Sequence, residues 1–171
     1  MEQPDRRDPA VVVDDAPTAS DRTAVADLLG REPQGAYRVV VRNARTDRPV
    51  VIRNEPLLPD GRPMPTSYWL VGEPERTLVS RLESRGGVHR VEEIVGMEAI
   101  AAAHARYQAE REAELPEGWD GPRPSGGVGG TRTGVKCLHA HYAWFLAGGD
   151  DPVGAWVADQ LAVGAGDKHP S

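Results

Sequence analysis

The sequence predicts an α+β fold: a small antiparallel sheet of three to four strands packed with about four to five helices, behind a disordered N-terminal tail. Three observations predict it. β-Branched runs cluster early, at Tyr37–Arg42 (YRVVVR), Pro49–Arg53 (PVVIR) and Ser67–Val71 (SYWLV). Apolar side chains at helical spacing dominate from Pro74 onward. Residues 1–19 are acidic and proline-rich, with one short apolar run at Val11–Val13, a composition too poor in burial to order itself.

Each element has a local reason. Ser20 or Asp21 can cap a short helix whose Val25, Leu28 and Leu29 share a face, and Gly30 ends it. The first two β-branched runs, joined by Asn43–Arg48, read as a hairpin. Prolines and the Asp60-Gly61 turn forbid regular pairing over Pro56–Pro65, and Ser67–Val71 supplies a third strand. Pro74 suits the first position of a helix running to about Ser84, with Leu78, Val79 and Leu82 inward and Gly86-Gly87 as its stop. Val88–Val95 is expected as a fourth short strand. Glu98–Leu115 is rich in good helix formers, with Ile100, His104, Tyr107 and Arg111 at helical spacing. A loop over Pro116–Gly130 leads to a helix capped by Thr131 or Thr133 and running to about Ala147. Asp151 then caps, and Pro152 opens, a last helix to about Val163.

The length of 171 residues fits one domain, expected over residues 20–163 between the tail at 1–19 and a frayed end at 164–171. A net charge of -6 argues against a chain that coats nucleic acid or an anionic membrane. The single cysteine, Cys137, cannot form an internal disulfide, which fits a reducing compartment. With no apolar run of membrane length and no signal-peptide core, the expected location is cytoplasmic.

One window stands apart chemically. Between Asp120 and Asp150 this acidic chain has no carboxylate, yet it has Arg123, Arg132 and Lys136. A Gly-rich segment there runs into the expected helix start, where unpaired amides and a partial positive charge favour an anion. The candidate ligand-binding residues are Gly129, Gly130, Thr131, Arg132, Gly134 and Lys136. The segment is not a nucleotide-binding P-loop, because Val135 separates Gly134 from Lys136 and Cys137 stands where Ser or Thr should be.

On a regular helix through this region, Cys137 and His141 are neighbours four apart, with Trp144 on the same flank and His139 on the opposite one. Three readings follow. Cys137 and His141 can serve as two ligands of zinc or another transition ion, with His104, His89 or a carboxylate completing the set. Cys137, beside Lys136 at a helix start, can instead be a reactive thiol with a histidine as acid or base, which makes Cys137, His139 and His141 the candidate catalytic residues. All three can also be structural. His104 and Tyr107, on the inward face of the long helix, are expected as hydrogen-bonded core residues.

Three segments together resemble a bacterial family of unknown function: Gly129–Gly154 (GGTRTGVKCLHAHYAWFLAGGDDPVG), Pro56–Val71 (PLLPDGRPMPTSYWLV) and Ser80–Val88 (SRLESRGGV). The most specific part is the Lys-Cys-Leu-His tetrad, Lys136–His139. Members of that family are often encoded near genes for a septum formation initiator and an exopolyphosphatase, and many carry further cysteines near the first strands and after the Trp-Leu strand. Here Arg42–Pro49 and Val71–Pro74 have none, so a surviving metal site rests on Cys137 and histidines.

The leading functional expectation is binding of a small phosphorylated or carboxylated ligand at the Gly-rich loop, with Cys/His chemistry as an addition. Two alternatives stand beside it. One is a non-catalytic protein-interaction module linked to cell division, presenting Trp119, Trp144 and Trp156 to a protein partner. The other is a metal-binding protein. No membrane and no nucleic-acid partner is expected.

Overall fold

The computed structural model describes residues 8–166. Four strands form one antiparallel sheet in the order β1-β2-β3-β4: β1 Ala10–Asp15, β2 Tyr37–Asn43, β3 Pro49–Asn54 and β4 Tyr68–Leu70. Six α-helices accompany it: α1 Ala19–Leu29, α2 Glu75–Ser84, α3 Gly87–Val95, α4 Met97–Ala113, α5 Leu138–Leu146 and α6 Pro152–Gly166. The α+β class therefore holds. No helix of the described residues is long and apolar enough to cross a membrane.

The central strands β2 and β3 are covered on both faces, which explains why they are valine runs rather than alternating patterns, whereas β1 is largely exposed. One face carries a small cluster of Val25, Tyr37, Val39, Ile52 and Val71, with α1 laid over it. The other holds the main core, where Val41, Val51 and Leu70 meet Ile100, Tyr107, Leu138, Trp144 and Val157 of the helices. Register irregularities in β2, around Val41, let Val40 and Val41 both enter the main core.

α1 is fixed by charge as well as by packing. Arg42 of β2, almost fully buried, grips Asp21 of α1 with two bonds, Nη1 to Oδ1 at 2.8 Å and Nη2 to Oδ2 at 2.9 Å. Its Nε donates to Asp15 at 2.8 Å and Nη1 also to the Asp47 carbonyl at 3.0 Å. One guanidinium thus ties β1, α1 and the β2–β3 turn together. Asp21 also closes a capping box with Thr18, which is the cap in place of Ser20 or Asp21.

Four sequence expectations need correction. Residues 10–15, assigned to the disordered tail, form β1, because Val13 reaches the small core cluster and Asp14 and Asp15 bind Arg38 and Arg42. Residues 1–7 and 167–171, assigned to the tails, lie outside the described residues, and 164–166 continue α6. Val88–Val95 is helix α3, not a strand: only Val91 needs deep burial, and Val88 and Val95 flank it at helical spacing. Finally, α5 starts at Leu138, well after Thr131 and Thr133.

The inward face of α4 is the expected one, with Ile100, His104, Tyr107 and Arg111 all buried. Tyr107 Oη accepts from the Ser67 amide at 2.7 Å and its ring meets Trp144 edge-on at 5.2 Å. Arg111, pushed down in pKa by burial, donates to the Pro65 carbonyl at 2.9 Å and the Gly126 carbonyl at 2.6 Å. Trp144 and Trp156, expected on a contact surface, are core residues.

Hydrogen bonds from Arg42 hold the Asp21 carboxyl down at about 2, below its ordinary 3.8. A depressed carboxylate contributes stability that is complete above the unfolded value and lost as pH falls through the folded one. The expected contribution is on the order of 2 kcal/mol. Asp21→Asn should remove it at neutral pH, and the variant's urea midpoint should change less than that of the wild type between about pH 5 and pH 2.

Candidate functional site

Why α5 starts late is the key to the site. Gly134 has φ 62, a left-handed conformation that interrupts any helix propagating from Thr131 or Thr133. The cap comes instead from far away in sequence. Glu83 Oε1 on α2 accepts the Leu138 amide at 2.6 Å, leaving Cys137 as the N-cap residue in extended conformation (φ -155, ψ 128). Cys137 therefore does not obey the helical wheel, and the expected pairing with His141 is replaced. Ligand atoms of Glu83, Cys137 and His139 all lie within 4.8 Å of one another.

His139 is held from two sides. Its Nδ1 faces Glu83 Oε1 at 3.2 Å; its Nε2 faces the Arg76 carbonyl at 3.2 Å and Ser80 Oγ at 3.0 Å. A carbonyl only accepts, so Nε2 carries a proton. The imidazole is pushed up to about 8, first by its hydrogen bond to Cys137, against the effect of burial, with the charges of Cys137 and Glu83 adding to the rise. Without a metal, His139 is thus an imidazolium at neutral pH.

These residues open onto a cleft of about 460 Å³, within the range of small-molecule sites. Its lining comes from five parts of the chain: Leu29 and Arg31 at the end of α1, Thr66 and Tyr68–Leu70 at β4, Arg76 and Ser80 of α2, Gly129, and Cys137, His139 and Ala140 at the start of α5. Arg31 lies over the Trp69 ring at 5.7 Å, and Arg76 Nη1 bonds the Leu28 carbonyl. No carboxylate is among the lining residues.

The Gly-rich loop has a different arrangement from the one its composition suggests. His104 clamps it: Nδ1 accepts the Val128 amide at 3.0 Å, which leaves the proton on Nε2 to donate to the Gly134 carbonyl at 2.7 Å. Gly127 passes so close that a Cβ there would sit 2.3 Å from His104 Nδ1. Further loop amides are satisfied internally, Gly127 by the Thr131 carbonyl at 2.7 Å, Gly130 by Gly127 at 3.0 Å and Val135 by Glu92 at 3.4 Å. Arg132 and Lys136 are exposed; Arg132 lines a separate hollow with Gln108 and Ser125, and Gly129 alone of the proposed loop residues lines the main cleft.

His141 goes to the interior. It is wholly buried, its Nδ1 bonds Asp151 Oδ2 at 2.7 Å, and its ring lies 5.8 Å from that of His104. Asp151 meanwhile caps α6 through the Val153 amide at 3.0 Å, as expected. This pair links α5 to the cap of α6. His89, another proposed metal partner, is exposed on α3. Glu83 is the carboxylate that lies beside Cys137 and His139. Sequence reasoning did not single out Arg31, Arg76, Ser80 or Glu83. The one available signal was that Ser80 and Glu83, three apart on a helix, share a face and belong to the SRLESRGGV segment.

A mixed sheet-and-helix domain with a cationic cleft beside a Glu-Cys-His cluster is the class of protein these features define. The chain belongs to the DUF501 family, a protein family of unknown function, which it matches over residues 40–159. No curated protein and no solved structure matches it. The matched segment contains Arg76, Ser80, Glu83, Gly129, Cys137 and His139, whereas Leu29 and Arg31 lie before it.

The His104 clamp makes a clear expectation. His104→Leu would strip partners from the Val128 amide and the Gly134 carbonyl, at about 1–3 kcal/mol for each group left unsatisfied. Urea denaturation should show a loss in that range or above, and limited proteolysis should cut within 125–135 sooner than in the wild type.

Proposed function

We propose that the cleft binds a small phosphorylated or carboxylated molecule, with Arg31 and Arg76 as the groups that hold its charge. One observation carries this reading: two guanidinium groups from separate elements line one concavity that contains no carboxylate. Guanidinium forks match carboxylate and phosphate oxygens, and charge-assisted hydrogen bonds to them are the strong ones. Trp69, with Arg31 over its ring, offers a flat wall for a planar part of the ligand. The anion thus sits between α2, α5 and β4 rather than within the Gly-rich loop, where the Gly127, Val128, Gly130 and Val135 amides are already bonded.

Calorimetric titration with inorganic phosphate, nucleotides, phosphosugars, polyphosphate and short dicarboxylates tests the reading. At least one should bind, with affinity falling as salt rises. Loss of a charge-assisted hydrogen bond should cost about 1.5–3 kcal/mol, roughly 10–100-fold in affinity, in Arg76→Ala and Arg31→Ala. Arg132→Ala and Lys136→Ala should leave it within about twofold, since both are exposed and neither lines the cleft. Absence of binding by every probe, or an equal loss in the Arg132 and Lys136 variants, would overturn the assignment.

A further inference from the structure

Glu83, Cys137 and His139 present three lone-pair donors to one point, and the hydrogen bonds around them leave those donors facing each other. Nε2 of His139 has its proton turned toward the Arg76 carbonyl and Ser80. Its Nδ1 faces Glu83 Oε1 at 3.2 Å, and that oxygen is anchored by the Leu138 amide at 2.6 Å. Ligand atoms of Glu83, Cys137 and His139 all lie within 4.8 Å of one another.

The dimensions suit a cation. Around an ion with bonds of about 2.0–2.1 Å to nitrogen and oxygen, neighbouring tetrahedral ligands stand about 3.3 Å apart. The observed Nδ1 to Oε1 separation is 3.2 Å, and all three ligand atoms fall within 4.8 Å. Sulfur, imidazole nitrogen and carboxylate oxygen are the donor types that zinc accepts together. The surroundings also have the form metal sites need, since a ligating histidine usually donates its other ring N–H to a backbone carbonyl or similar group that fixes its orientation.

We propose that Glu83 Oε1, Cys137 Sγ and His139 Nδ1 bind one divalent transition metal ion of the zinc class. Three protein ligands leave a coordination position, and Cys137 and His139 also line the cleft, so the ion is accessible from there. An anionic group bound in the cleft can fill that position. This last step rests on the reading of the cleft as an anion site; the metal site itself does not.

The test uses full-length protein without an affinity tag, stripped with a chelator and titrated with Zn²⁺ against a chromophoric competitor, and in parallel with Co²⁺. One ion per chain is expected, with a thiolate-to-cobalt charge-transfer absorption. Cys137→Ala should abolish that absorption, and Cys137→Ala and Glu83→Gln should each weaken Zn²⁺ binding by more than about 100-fold, the upper end for outer partners. Ser80→Ala, an outer partner, should weaken it by about 10-fold. Glu83→Gln keeps an oxygen for the Leu138 amide, so the start of α5 survives and circular dichroism should match the wild type. No stoichiometric Zn²⁺ binding in the wild type, or undiminished binding in Cys137→Ala, would overturn the site and leave the imidazolium as the occupant. Phosphate titration into stripped and zinc-loaded protein separates the two readings. Anion binding that persists without zinc uptake sinks the metal site alone, and zinc uptake without anion binding sinks the anion reading alone.

Discussion

The bond from the Leu138 amide to Glu83 decides where α5 begins, and nearly everything at the site follows from it. A helix start leaves several amides without intrahelical partners, and something must satisfy them if the end is packed inside the protein. Here a carboxylate from α2 does so, and the same oxygen meets His139. Because the helix starts at Leu138, Cys137 is extended and its side chain falls toward His139 rather than toward His141. A negative charge at a helix start is also electrostatically favourable, so the cap and the macrodipole act in the same direction.

The cleft lies where the two apolar clusters of the sheet meet. Leu29 and Trp69 pack on the smaller cluster, whereas Tyr68, Leu70, Ala140 and Cys137 belong to the larger one or pack on it. β4, only three residues long, forms the seam. The wall supplied by Leu29 and Arg31 stands outside the segment that matches the family, and it is held in place by the Arg42–Asp21 clamp and the bond from Arg76 to Leu28. The cleft is therefore assembled partly from the family segment and partly from the preceding β1–α1 unit.

Much of this architecture was legible in the residues. The hairpin, α1, α2, α4 and α6 were each announced by local signals: β-branched runs, Gly30, Pro74, the Ala- and Glu-rich stretch, and Asp151-Pro152. His104 as a bonded core residue was legible too, because a histidine on an otherwise apolar face must find partners. What could not be read was non-local. β1 forms because Arg42 and Arg38 supply partners to Asp14 and Asp15, and nothing in residues 10–15 by themselves says so. The start of α5 is fixed by Glu83, distant in sequence, so a helical wheel drawn from local residues placed Cys137 beside the wrong histidine. The acid-free window did contain the reactive side chains, but its three cations, Arg123, Arg132 and Lys136, are exposed away from the cleft lining, and the cleft is lined by arginines from elsewhere.

Arg111 joins two loops that the chain keeps far apart. It holds the end of the proline-rich turn at Pro65 and the glycine-rich segment at Gly126, and residues adjoining these points, Thr66 and Gly129, face the cleft. Mechanically the two loops are one wall on one hinge pin. Both points hang on one buried side chain, so losing it would free both at once.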